Sequence, residues 1–140
     1  MAQGWWRALA LLGCAVLGAQ TAAHAETWTK VTLTAAQVSA AHSGTLKLFP
    51  KPETAYFHAT TKAASNGKGT IFVCGWVDAQ SKAGGFPGYK PYLGYFKGNA
   101  FIALGVAGEN DLGWEGSHRE CDTRGIGLGL KDPASPHKRP

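Results

Sequence analysis

Residues 70–79, TIFVCGWVDA, constrain the fold more than any other stretch of the sequence. An extended strand would divide these residues between two faces, with Ile71, Val73, Gly75 and Val77 on one and Phe72, Cys74 and Trp76 on the other. Both faces would be apolar, which is typical of a strand in the middle of a sheet. We therefore expect this segment to be the centre of the fold.

Further strands are predicted on both sides of this segment. Residues 54–61 (TAYFHATT) have strand composition and lead to it through the glycine-rich turn at 66–69, which indicates an antiparallel meander. Residues 92–96 and 101–106 are predicted as two more short strands around Gly98-Asn99. Residues 27–33 could add a short leading strand, whereas 107–129 are glycine-rich and show little periodicity.

One helix is predicted, close to the beginning of the domain. Thr34 and Gln37 have the spacing of a capping box, and residues 35–43 favour helix. Pro50 and Pro52 exclude a helix beyond that point. The expected fold class is α+β, a small antiparallel sheet of about four strands with one N-terminal helix on a face.

The first 25 residues have the pattern of a secretory signal peptide. Arg7 precedes a run of apolar or small residues over 8–19, and Ala23-His24-Ala25 offers small side chains where a signal peptidase reads them. This predicts cleavage after Ala25 and a periplasmic or secreted protein. In the alternative, Leu11-Leu12-Gly13-Cys14 is a lipobox and Cys14 is lipidated. Neither alternative leaves a transmembrane segment in the mature chain.

The mature chain is predicted to be one domain over 26–130 with a polar, proline-rich tail over 131–140. Of the three cysteines, only Cys74 and Cys121 follow the leader. In an exported protein such a pair favours an intramolecular disulfide, which would stabilise the domain by roughly 3–4 kcal/mol in the chain-entropy description.

A set of glycines and other residues follows Cys74 at distinctive spacings: Gly75, Val77, Gly84, Gly85, Gly88, Pro91 and Tyr92. These residues are in step with the pattern C-G-x-V-N-x-K-N-x-x-G-G-Y-x-G-x-x-P-F. Through this pattern residues 50–95 resemble a group of small exported bacterial proteins. Asp78, Ser81 and Phe86 depart from the Asn, Asn and Tyr of the pattern, and Lys82 follows the second polar position instead of preceding it. The resemblance implies a fold and export, and it implies no activity.

Several chemical functions have weak support in the sequence. His118 to Asp122 (HRECD) gathers potential metal ligands, but paired C-x₂-C or H-x₃-H units are lacking, and a disulfide would remove both thiolates. Neither metal nor cofactor is therefore predicted. The acidic group between Glu109 and Asp122 could supply a carboxylate pair, although a solvated loop explains it equally well. A small hydrolase or inhibitor-type protein acting on cell-wall material remains the alternative function.

A non-catalytic binding or envelope-associated module is the function that the sequence favours. Aromatic residues cluster between Phe86 and Phe96, and loops on a rigid sheet are common sites of recognition. The predicted ligand-binding residues are Tyr89, Lys90, Tyr92 and Trp114, with Tyr89 and Trp114 expected to be exposed; the same rings could instead form the core. The expected partner is a cell-envelope component or another envelope protein. The net charge is +5, but the basic residues form no continuous stripe in the sequence, so a nucleic-acid partner is not expected.

Overall fold

The computed structural model describes residues 25–110, 112–129 and 131–134. Its strands are β1 (Thr29–Val31), β2 (Tyr56–Ser65), β3 (Thr70–Asp78), β4 (Lys90–Lys97) and β5 (Ala100–Val106). Its α-helices are α1 (Ala35–Leu46) and α2 (Trp114–Asp122), and a 3₁₀ turn spans Pro52–Thr54. The predicted signal peptide, the Cys14 alternative and residues 135–140 of the predicted tail lie outside the described residues, apart from Ala25 at the predicted cleavage site.

The five strands form one antiparallel sheet in the order β1-β2-β3-β4-β5. The sequence-based count of about four strands is thus one short, because β1 has only three residues and pairs with the last three of β2. The prediction that residues 70–79 form the central strand is confirmed. Val73 and Val77 belong to one buried cluster, and Phe72, Cys74 and Trp76 belong to another.

Helix α1 covers the first of these two faces, which we call the α1 face. Thr34 and Gln37 form the predicted capping box, with the Thr34 hydroxyl accepting from the Gln37 amide and the Gln37 side chain accepting from the Thr34 amide. Ala41 of α1 is fully buried against the sheet. Gly44 allows close approach to β5, since a Cβ there would lie 2.6 Å from the Phe101 ring.

Helix α2 lies on the opposite face, the α2 face, and the sequence did not predict it. Its buried side chains are Ser117, His118 and Cys121, none of which gives an apolar helical pattern, and its N-cap residue Gly113 makes no side-chain capping bond. The expectation of a single helix is therefore wrong. The predicted Cys74–Cys121 disulfide is confirmed, and it ties α2 to β3.

Arg124, just after α2, strengthens this attachment to the sheet. Its guanidinium lies 3.9 Å from the Phe72 ring centroid and 5.0 Å from that of Trp28, and it pairs with Glu120 at 2.8 Å. Cation–π contacts of this kind contribute about 0.5–2 kcal/mol. The sheet thus has a helix packed on each of its two faces.

Candidate binding site

A buried carboxylate at the end of β3 anchors the loop between β3 and β4. Asp78, at 1% exposure, accepts a hydrogen bond from the Gly88 amide at 3.2 Å. Gln80 accepts a hydrogen bond from Lys51 Nζ at 3.3 Å and donates two, from its amide to Thr54 Oγ1 and from its side chain to the Gly84 carbonyl. The loop that carries the predicted aromatic site is therefore an ordered part of the scaffold.

The predicted exposure of Tyr89 is wrong, and Tyr92 is also buried. Tyr92 is fully buried on the α1 face, where its ring lies over Gly75 and its hydroxyl is 3.4 Å from Thr61 Oγ1. Tyr89, at 8% exposure, packs edge-on against the His58 ring at 5.5 Å. Burial raises the pKa of both phenols, and the negative charge of Asp78 raises that of Tyr89 further. Both rings belong to the core, which was the open alternative for them.

Trp114 and Lys90 lie nearer the solvent. Trp114 is 39% exposed, as expected, and packs on Trp76 and His118 with centroid distances of 5.9 and 5.3 Å. Lys90 is paired with Glu109 at 2.7 Å, so its charge is already compensated. The structure therefore leaves Trp114 as the one predicted ligand-binding residue with a substantially exposed aromatic surface.

A concavity that the sequence did not predict lies beside an irregularity in β2. Phe57 pairs with Val77 and Thr61 pairs with Gly75, so residues 58–60 lie opposite Trp76 alone. β1 pairs only with Ala63–Ser65 and leaves this part of β2 without a neighbour on its outer side. Bulges of this kind redirect side chains and occur often beside functional sites. The lining residues of this cavity, which we call the bulge cavity, are Val31, Thr32, Leu33, Val38, His42, Phe57, His58, Ala59 and Thr61.

The bulge cavity has a volume of about 320 Å³ and carries no charged aspartate, glutamate, lysine or arginine in its lining. Its polar side chains are Thr32, Thr61, His42 and His58, its other side chains are apolar, and polar atoms make up the larger share of its lining surface. The His58 Nδ1 accepts a hydrogen bond from the Thr60 amide at 3.1 Å. This bond assigns the ring proton to Nε2 in the neutral form, which makes that atom a donor.

His42 is held in the wall of the bulge cavity by aromatic contacts. Its ring stacks on Phe57 with centroids 3.8 Å apart and meets the edge of Tyr92 at 6.2 Å. Its Nε2 is buried and has no hydrogen-bond partner within the described part of the chain. Burial lowers the pKa of His42, so the imidazole is neutral at neutral pH. The cavity is therefore suited to a ligand without net charge.

The described residues contain no cluster suited to a metal ion and no cysteine with a free thiol. Over residues 25–110, 112–129 and 131–134 there is no group of three or more His, Cys, Asp and Glu side chains placed to hold a metal ion. Both Cys74 and Cys121 are consumed by the disulfide. The His118 Nε2 is buried and makes no hydrogen bond to any described group, carboxylates included. Asp111, one of the acidic residues considered above, lies outside the described residues.

No helix among the described residues is both long and apolar enough to cross a membrane. Comparison of the chain with protein-family models, with curated proteins and with solved structures finds no match. The resemblance of residues 50–95 to small exported bacterial proteins therefore stays a prediction. The sequence gave no indication that His42 and His58 line a common cavity. Nothing in TAYFHATT indicates where β2 departs from regular pairing.

Proposed function

We propose that the chain is an exported, non-catalytic binding module of the cell envelope, and that it holds an uncharged ligand in the bulge cavity. The observation that carries this proposal is the set of side chains that line the cavity: two hydroxyls and two imidazoles lie among apolar side chains, and none of the lining side chains is an aspartate, glutamate, lysine or arginine. Ligand sites are typically concave, with polar groups that fix the orientation of the ligand. We therefore propose the bulge cavity as the primary binding site, in place of the surface around Trp114 on the α2 face.

Rigidity of the scaffold supports the proposal. The cavity wall is built from α1, β2 and residues 31–33, and Thr61 of this wall lies against the buried Tyr92, whose ring packs over Gly75. A preformed site binds more tightly because little conformational entropy is lost when the ligand enters. A fixed wall with two hydroxyls and two imidazoles would therefore select ligands by shape and hydrogen bonding.

Hydrolysis of cell-wall material has less support than binding. Cleavage of a glycoside needs a pair of carboxyl groups on opposite sides of the scissile bond. The bulge cavity offers none, and two further surface concavities, one beside Thr34 and Asn99 and one beside Lys30 and Gly125, are also lined without aspartate or glutamate. These linings favour recognition over acid–base chemistry.

Export is supported by the signal pattern of residues 1–25 together with the disulfide, because such bonds persist in oxidising compartments. Mass spectrometry of the protein isolated from the exported fraction tests this part of the proposal. We expect a chain that begins at Glu26 with no free thiols. A lipidated N-terminus at Cys14 would replace soluble export by membrane anchoring. A full-length cytosolic chain with Cys14, Cys74 and Cys121 all as free thiols would contradict export.

Nuclear magnetic resonance tests the binding site. The nitrogen-15-labelled, oxidised protein would be titrated with fractions of envelope extract separated by polarity. A ligand in the bulge cavity shifts amide signals of residues 31–33 and 57–61, and Ala59→Trp, which fills the cavity mouth, should weaken the response by about tenfold or more. The exposed residue Ala59 keeps its backbone role in this variant, so the fold is expected to persist.

Trp114→Ala provides the matched control, because it removes an exposed aromatic ring on the opposite face of the sheet. The control should respond to the same fractions as the unmodified protein. Shifts around residue 114 that vanish in Trp114→Ala would instead restore the aromatic surface predicted from the sequence. A lack of response to every fraction would contradict the proposed binding function.

A further inference from the structure

The two edges of the sheet differ in how they are protected from pairing with another strand. β1 has three residues, and the middle one is the exposed Lys30. Short edge strands and lysines are common devices against edge-to-edge association, because they shorten the row of free backbone groups and resist desolvation. The β1 edge is thus closed to partners by its own sequence.

The β5 edge has neither device, and its one irregularity is a bulge at Leu104, where the register with β4 shifts between Ala103 and Gly105. It has seven residues, AFIALGV, without a charge or a proline, and the whole stretch 98–108 carries no charged side chain. Ile102 is 40% exposed and Leu104 is 48% exposed, and both are among the largest apolar side chains that the described surface displays. Residues 100–103 pair with β4 without a break in register, so the outer side of this segment presents a regular row of backbone donors and acceptors.

We infer that β5 is a self-association surface, on which a second copy of this chain pairs its own β5 in antiparallel orientation. Two-fold symmetry brings the same strand from both copies together, which would join two five-stranded sheets into one of ten strands. Main-chain hydrogen bonds would supply affinity, and the side chains of Ile102 and Leu104 from each copy would become buried.

Charge is the reason for choosing a second copy as the occupant. The chain has a formal net charge of +5, so two copies repel each other over most approaches. The uncharged stretch 98–108 lets them meet without opposing like charges at the contact. An acidic partner protein would gain nothing from this strip and would be drawn to the lysine-bearing surfaces instead.

Sedimentation equilibrium of the oxidised chain over a wide concentration series tests the inference. The unmodified protein should shift from monomer to twice the monomer mass. Ile102→Lys and Leu104→Lys should each raise the dimer dissociation constant by at least about tenfold, because each places two lysines at the symmetric contact. Thr60→Lys, which adds the same charge at an exposed position of β2, should leave the dissociation constant unchanged.

Hydrogen exchange of the unmodified protein locates the contact without relying on any variant. Amides of residues 100–105 should become at least tenfold more protected at concentrations where the dimer predominates, and those of β1 should not change. A monomer at every concentration would overturn the inference. So would a dimer that forms without added protection in β5, or one that Thr60→Lys weakens as much as Leu104→Lys does.

Discussion

Removal of the Cys74–Cys121 disulfide by the double substitution Cys74→Ala, Cys121→Ala is the perturbation that most directly tests this account of the fold. Cys74 lies on β3 and Cys121 on α2, both are fully buried, and 47 positions separate them in the sequence. The bridge therefore closes a loop that contains β4, β5 and most of α2. It joins the central strand to α2, a helix that lacks a side-chain N-cap and an apolar face.

The expected loss in free energy of unfolding follows from the length of this loop. In the chain-entropy description, a closed loop of this length restricts the unfolded chain by about 4 kcal/mol at 25 °C. Domains of this size have total stabilities of about 5–15 kcal/mol, so the bridge accounts for a large share. The double variant should still fold, because Ile126 and Leu128 remain buried on the α2 face and Arg124 keeps its contacts with Phe72 and Trp28.

Urea unfolding of the unmodified protein and the double variant, followed by circular dichroism, measures this loss. The unmodified protein in the presence of a reductant should approach the variant, whereas the variant should not respond to the reductant. The variant should also have a steeper dependence on urea, because its unfolded chain exposes more surface. A loss below about 1 kcal/mol would refute the reasoning, since the loop-closure term would then be absent or cancelled.

Two further predictions concern the α1 face. Gly75→Ala should destabilise the protein by about 1–3 kcal/mol in urea unfolding, because a Cβ there would lie 2.5 Å from the buried Tyr92 ring; Gly116→Ala, in α2 with no atom within 4 Å, is the control and should lose nothing. Burial lowers the pKa of His42 below its ordinary value of 6.5, so the unfolded chain binds the proton more readily and stability falls as the pH drops through that value. His42→Gln should flatten the pH dependence of the urea midpoint, and an unchanged slope would show that His42 is not responsible.

The parts of the fold that the sequence predicted depend on local patterns. The capping box of Thr34 and Gln37 involves residues three apart, and the two faces of β3 follow from strict alternation along one strand. In each case the deciding interaction spans a few residues or repeats with the period of the element. The cysteine pair is different, since 47 positions separate its members; it was predictable because only two cysteines remain after the predicted leader.

The parts that the sequence did not predict depend on contacts between distant residues. Glycines and polar residues around Tyr89 suggested exposure, but Tyr89 packs against His58 within the cluster on the α2 face. Tyr92 is buried because the pairing of β4 with β3 places it opposite Gly75. The bulge cavity exists because β2 loses register between Phe57 and Thr61 while β1 stops short. No residue type within β2 predicts this irregularity, so neither His42 nor His58 could be assigned to a cavity from the sequence.

The sequence by itself determined a central apolar strand, a capped first helix and the choice of cysteine partners, because short-range periodicity and cysteine number are properties of the chain alone. The tertiary structure decided that α2 forms, which aromatic rings are buried and where the sheet leaves a cavity. Helix α2 shows the physical reason most clearly: its buried residues are Ser117, His118 and Cys121, which form no apolar pattern, and the disulfide and the burial of Ile126 and Leu128 hold this segment against the sheet.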